Sequence, residues 1–379
     1  MALVLTEEQE LLREMAREFV RERSPVSALR KLRDERSADG FSRELWQEMA
    51  ELGWAGIVFP EDVGGVGMGH VELGIVLEET GRALVASPLF STVVLAGAAV
   101  RIGGNETQQK EILGAVCAGE RILALALQEG PHHAPYRIAT RAEPAAGGYR
   151  LTGRKTFVLD GHVADQLVVV ARTSGEPGER AGLTLFLVDA GARGVSVTRT
   201  ILVDSRNAAV IELDGVEVER SAVLGGIAAG AEVLDPVLDR ASVACSAELL
   251  GTCAEAFERT LQYLKDRSQY GVPIGSFQAL KHRAARMFVE VELSRSIVLD
   301  ALQAVDEGRP ELPQLASVAK ARLSDTAFLV GNEAIQMHGG IAMTDEEEIG
   351  FFLKRARVAQ FTLGDASFHR DRFATLNGF

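Results

Sequence analysis

The sequence predicts an α+β multidomain chain. An N-terminal helical domain (1–119) precedes a middle antiparallel β-domain, barrel or sandwich (120–231), and a C-terminal four-helix bundle (232–379). Three observations carry this reading. Apolar residues near both ends of the chain recur at helical spacing. From about Arg121 to Leu224 the pattern changes to short, β-rich apolar runs separated by Gly, Pro and Asp. After that the helical pattern returns in much longer stretches.

The N-terminal third opens with Thr6 and Gln9 spaced as a capping box, followed by Leu11, Leu12, Met15 and Phe19 on one helical face. A second helix is expected from Ser42 to Leu52, ending at Gly53, with further helical stretches over 71–83 and 92–102. The glycine-rich loop "EDVGGVGMGH" (61–70) follows no parallel-strand pattern, so it does not fit a dinucleotide phosphate loop. In the middle third, "RILALALQ", "YRLTG", "KTFVL", "QLVVVART", "LTLFLVD" and "AAVIEL" read as strands. "TSGEPGERAG" (173–182) reads as a hairpin loop and "GGIAAGAE" as the linker out of the domain.

From Val233, the residues Val237, Ala241, Cys245, Leu249, Cys253, Phe257, Leu261 and Leu264 form one long apolar stripe that Gly271 and Pro273 end. A helix starting near Phe277 and helical stretches over 311–338 and 345–376 complete the bundle. Between the last two lies "QMHGGIAMTDE" (336–346). Its glycines suit a helix C-cap or the close approach of a ligand to the backbone, and Thr344 with Glu347 has capping-box spacing for the next helix. The acidic run Asp345–Glu348 reads as a first helical turn facing solvent.

Composition narrows the function. A net charge of −13 argues against a nucleic-acid partner, because phosphate contacts need a basic surface. Cys117, Cys245 and Cys253 show no CxxC spacing and read as reduced core thiols. The first residues lack a basic segment of the signal-peptide type, and the apolar run Leu89–Val100 is too short to span a bilayer. A cytoplasmic protein without membrane insertion is expected.

The order helices, β-domain, long helical bundle resembles the acyl-CoA dehydrogenase family of flavoproteins. "YRLTGRKTFVLDGHVADQLVVVART" resembles its central β-segment, "RSQYGVPIGSFQALKH" its Arg-x-x-Phe-Gly…Phe-Gln block and "QMHGG" its Gln-x-x-Gly-Gly turn. The resemblance implies an FAD shared across a subunit interface, an acyl-CoA substrate and an electron-transfer flavoprotein or similar acceptor. Carried over residue by residue, it makes Arg267 the pyrophosphate contact, with Tyr270, Phe277 and Gln278 lining the same pocket. Gln336 and the backbone of Gly339 and Gly340 would approach the cofactor. A guanidinium fork suits phosphate oxygens.

The other half of the site departs from the family. Its Thr-Glu-Pro-Gly-x-Gly-Ser-Asp strand reads "QEGPHHAP" here, with Gln128 for Thr and Gly130 for Pro. The aromatic and hydroxyl pair that stacks on the flavin and bonds N5 falls on Phe157 and Leu159, and Leu has no donor. His132 and His133, being adjacent, read as loop residues. No catalytic carboxylate stands at either position the family uses, which are Leu363 in "QFTLGDASFHR" and Ala241 on the long helix. Asp239, Asp365 and Glu248 are the acids near enough in sequence to weigh as displaced bases, and Glu248 also suits an inter-helix contact. Three readings are therefore open. The chain is a base-lacking partner subunit of a heteromeric enzyme with a paralogous dehydrogenase chain, a self-sufficient flavoenzyme with a displaced base or a reaction without α-proton abstraction, or a non-catalytic acyl-CoA-binding scaffold.

Overall fold

In the computed structural model, residues 4–379 are described. The chain packs as two compact units. One holds Leu32–Gly69 and Ala86–Ala241. The other holds the described residues up to Lys31, with His70–Val85 and Ser242–Phe379. Helices α1 (Glu7–Arg23), α2 (Val26–Asp34), α3 (Arg43–Glu51) and α4 (His70–Arg82) precede the sheet, followed by the short α5 (Ala98–Gly103), α6 (Glu106–Gln108) and α7 (Gly114–Cys117). After it come α8 (Gly230–Asp266), α9 (Gln278–Asp306), α10 (Leu312–His338), α11 (Ile349–Phe361) and α12 (Ala366–Leu376).

The first unit is built on an eight-stranded sheet. Its strands are β1 (Leu123–Ala126), β2 (Arg141–Ala145), β3 (Gly148–Leu159), β4 (Gln166–Arg172), β5 (Leu183–Asp189), β6 (Val195–Ile201), β7 (Asn207–Glu219) and β8 (Val223–Leu224). The order is β6-β7-β3-β2-β4-β5-β8, with β1 pairing β4 in parallel. Most other pairs are antiparallel, as expected. No pairing among the described residues joins β6 to β8, so the sheet is not a closed barrel. The core comprises Leu151, Val158, Leu167, Val169, Phe186, Ile211 and Val216 with their neighbours. "YRLTG" and "KTFVL" form one strand, β3, while two further strands join the sheet, β2 with few apolar residues and the largely exposed β6. The glycine-rich loop spends its amides on its own neighbours. Val66 N–H donates to Gly56 O (2.9 Å) and Met68 N–H to Ile57 O (2.8 Å), so it offers no phosphate cradle.

In the helical unit the Thr6–Gln9 capping box is formed, with Gln9 N–H donating to Thr6 Oγ1 at 3.2 Å and Thr6 N–H to Gln9 Oε1 at 3.0 Å. α4 crosses α8 at two glycines. A Cβ on Gly81 would sit 2.1 Å from Glu248 O, and one on Gly251 would sit 1.8 Å from Glu78 O. Only glycine allows that backbone approach. Thr252 Oγ1 donates to Gly81 O across the same crossing, at 3.2 Å. α9 and α10 meet at a buried Ser294–Thr326 hydroxyl pair, 2.8 Å apart.

The expected continuous helix over 345–376 is two helices. α11 stops at Phe361, and α12 restarts at Ala366 with Asp365 as its N-cap, accepting from Phe368 N–H at 2.8 Å. The capping box expected at Thr344 and Glu347 is also absent. Gly339–Met343 continue as a 3₁₀ turn, Thr344 Oγ1 donates to Ile341 O (2.7 Å), and α11 begins only at Ile349.

Candidate functional site

The expected adenosine-side residues all belong to the helical unit. At the end of α8, Arg267 N–H still donates to Tyr263 O (2.9 Å). A short hairpin then pairs Ser268–Gln269 with Val272–Pro273, its tip formed by Tyr270 (φ 53°) and Gly271 (φ 80°). Tyr270, 89% exposed, meets Phe277 edge-on at 6.4 Å, and Gln278 opens α9. The Tyr263 ring stacks on His338 at 4.3 Å, which pins the end of α10 beside the end of α8. Gly339 (φ 68°) ends α10, and a Cβ on either Gly339 or Gly340 would meet nothing within 4 Å. Arg267, Gln278, Gln336, Gly339 and Gly340 are all exposed. An exposed guanidinium fork without an ion-pair partner among the described residues, and an open glycine backbone, would suit the diphosphate and adenosine of FAD. Arg267→Ala is expected to weaken FAD retention in the assembly that holds it by about 1.5–3 kcal/mol. Calorimetric titration of FAD into stripped parent and variant measures this, and equal affinity removes Arg267 from the site.

The ring-side positions lie in the sheet unit and look different. Leu159 is 9% exposed and lines a pocket of only about 20 Å³ with Phe41, Phe90 and Asp160. Phe157 (φ 52°) sits in a β-bulge, half-buried. Gln128 turns back on its own loop, Nε2 donating to Gly130 O (3.0 Å), while its carbonyl accepts from Thr156 N–H (2.7 Å). Leu159 itself offers no hydroxyl to a flavin N5.

Sequence reasoning missed a buried ion pair beneath this loop. Lys155, fully buried, donates to Glu129 Oε1 (2.6 Å) and Leu127 O (3.2 Å). Glu129 also accepts from Thr140 N–H (3.0 Å) and Thr140 Oγ1 (2.6 Å). Strand parity could have flagged it, because Lys155 shares its face of β3 with buried Leu151. Burial pushes the Lys155 ammonium down to about 8, against the pull of Glu129. Burial alone would raise the Glu129 carboxyl, but the Lys155 charge and the hydrogen bonds from Lys155, Thr140 and Ala139 outweigh it and hold it low.

A lysine depressed in the fold binds its proton more weakly than in the unfolded chain, so its burial penalty is full below about pH 8 and fades as pH rises towards 10.5. The stability of the parent relative to Lys155→Met is therefore expected to rise across pH 8–10.5, by up to about 3 kcal/mol. Denaturant melts of both proteins across that window check it, and a flat difference contradicts it.

The two usual base positions hold no proton acceptor. Leu363 has a left-handed backbone (φ 61°), and its carbonyl accepts from His369 Nε2 at 2.9 Å. The turn is clamped by the buried Lys320 ammonium, which donates to Gln360 O (3.1 Å) and Gly364 O (2.9 Å). Ala241 is fully buried within α8. Of the substitute acids, Asp365 caps α12, and Glu248 faces buried Arg355 at 3.4 Å, which is the inter-helix contact its place suggested. Asp239 is buried on α8. Among the described residues no group of three His, Cys, Asp or Glu is placed to hold a metal ion, and no helix is long and apolar enough to cross a membrane.

Comparison with known proteins agrees with this layout. Models of the acyl-CoA dehydrogenase N-terminal, middle and C-terminal domains match residues 6–120, 130–216 and 228–375. Acyl-CoA dehydrogenase FadE27 of Mycobacterium tuberculosis is 32% identical over 86% of this chain and 86% of its own. The caffeyl-CoA reductase–Etf complex subunit CarC of Acetobacterium woodii is 29% identical over 94% of each. A chain of a variant of the Tcur3481–Tcur3483 steroid ACAD superposes with a TM-score of 0.88 at 32% identity, covering 98% of both. Domain models spanning most of the sequence, in this order, settle the family: the chain belongs to the acyl-CoA dehydrogenases, a family of FAD-binding flavoproteins.

Proposed function

We propose that this chain is the base-lacking partner subunit of a heteromeric acyl-CoA dehydrogenase. It lends its adenosine-side surface to an FAD whose ring and whose catalytic carboxylate belong to a paralogous chain. The observation that carries this is the asymmetry between the half-sites. Arg267, Gln278, Gln336, Gly339 and Gly340 are exposed and open, while positions 159, 241 and 363 are Leu, Ala and Leu. A flavin that spans an interface needs only one half from each chain. In a homodimer every site would join an intact half to an altered one, whereas a mixed dimer has one complete site.

When bound, the flavin would accept the hydride from the acyl β-carbon. This chain's residues would only bind and orient it, Arg267 against the diphosphate and the Gly339–Gly340 backbone against the adenosine side. The two-chain Tcur3481–Tcur3483 steroid ACAD supports both the mixed assembly and a bulky acyl-CoA substrate. The Etf complex that includes CarC supports an electron-transfer flavoprotein as a partner that exchanges electrons with the assembly.

Native mass spectrometry after co-expression with a neighbouring paralogue tests the reading. Two of each chain, with one flavin per unlike pair, is the expected result. A stable homo-oligomer carrying one flavin per chain would overturn it in favour of a self-sufficient enzyme.

A further inference from the structure

A separate cavity of about 300 Å³ lies within the helical unit, among α1, α4, α8 and α9. None of its lining residues belongs to the flavin or base positions. Its wall is apolar, with Val71, Ile75, Leu250, Val298, Leu299 and Leu302, and Gly74 brings the α4 backbone close to Leu302. Its mouth is charged but internally paired. Arg13 bonds Glu10, and Arg295 bonds Glu78 and lies 3.6 Å from Glu292. One polar valence stays open, since the Arg13 Nε–H is buried with no acceptor among the described residues.

The geometry points to a binding site for a compact apolar molecule that carries one neutral hydrogen-bond acceptor, a ketone, ester or hydroxyl oxygen. The volume suits an aliphatic or alicyclic body of about ten to fifteen non-hydrogen atoms, and pockets between bundle helices are a common place for such ligands. The acceptor is neutral because three carboxylates already face two guanidinium groups at the mouth, so a further anion is repelled. It is an acceptor rather than a donor because the open group is an N–H, and an ammonium or other pure donor leaves it unmet. None of the residues assigned to the flavin lines the site.

Ligand-observed NMR on the full-length chain tests it, with 4-propylcyclohexanone as probe and propylcyclohexane as its hydrocarbon counterpart. The ketone is expected to bind at one site per chain, roughly tenfold tighter than the hydrocarbon. Arg13→Met should remove that tenfold advantage and leave hydrocarbon binding unchanged. Ser296→Trp, at an exposed position on the mouth, should block both probes without loss of fold as read by circular dichroism. Failure of the ketone to bind overturns the site, as does binding indifferent to Ser296→Trp. Equal binding of ketone and hydrocarbon, unmoved by Arg13→Met, overturns the acceptor assignment.

Discussion

Given acyl-CoA and an artificial electron acceptor, the homogeneous chain is expected to turn over at least about four orders of magnitude more slowly than the mixed assembly. A positioned base contributes roughly 10²–10⁴ in rate, and a preorganised donor at the developing charge a further 10²–10³. Here Leu363 and Ala241 supply no base, and Leu159 supplies no donor to flavin N5. Two of the candidate substitutes are already occupied. Asp365 is bound to an amide at the head of α12, and Glu248 is buried against Arg355. Removing a proton with Glu248 would break that pair and leave a buried guanidinium without its carboxylate, which is strongly unfavourable. The measurement is steady-state turnover of the chain alone, then after addition of the paralogue. Robust activity of the chain alone, abolished by Asp239→Asn or Glu248→Gln, would instead establish a displaced base.

Gly251→Ala is expected to destabilise the helical unit by about 3–5 kcal/mol, in the range of severe overpacking. The new methyl would lie 1.8 Å from Glu78 O and 2.7 Å from Glu78 C, and both are backbone atoms that no rotamer change can move. α4 would have to withdraw from α8, which would strain the Thr252–Gly81 bond at the same crossing. Gly340→Ala is the matched control, because a Cβ there meets nothing within 4 Å. It should leave the urea midpoint unchanged while weakening FAD retention, since the added methyl would enter the space that the proposed site gives to the cofactor. Loss of midpoint in Gly340→Ala, or none in Gly251→Ala, would contradict the packing argument.

How much was legible in the sequence depends on whether a residue's role is local. Helix ends with strong caps, such as Thr6 with Gln9 and Ser42 before α3, were readable because the partners are three residues apart. The strands "QLVVVAR" and "LTLFLVD" were readable because both faces are buried. β2 and β6 were not, since their ladders rather than their side chains hold them in the sheet. The sheet's open, partly parallel pairing depends on contacts distant in sequence, as does the break at Leu363, which a buried lysine forty residues upstream along the chain secures. At the site, residue identity alone shows Leu363, Ala241 and Leu159 at the positions where the family resemblance places base and donor. The burial of Lys155 was open to strand parity, but its partner Glu129 and the openness at Gly339–Gly340 depend on the fold.

The two buried lysines lead to a further consequence, for observing the protein in solution. Among the described residues, Lys155 in the sheet unit and Lys320 in the helical unit are the fully buried lysines, one to each. An amine reagent cannot reach either without opening the structure around it, whereas exposed lysines such as Lys110 and Lys281 react at once. The rate at which each buried amine acquires a label, followed by peptide mass spectrometry, is thus a clock for the opening of its own unit. Two clocks that run together describe a chain that opens as a whole. Two that run apart give the separate opening free energies of the sheet and the bundle, without mutation or dye, and show which of them a bound cofactor or partner chain slows.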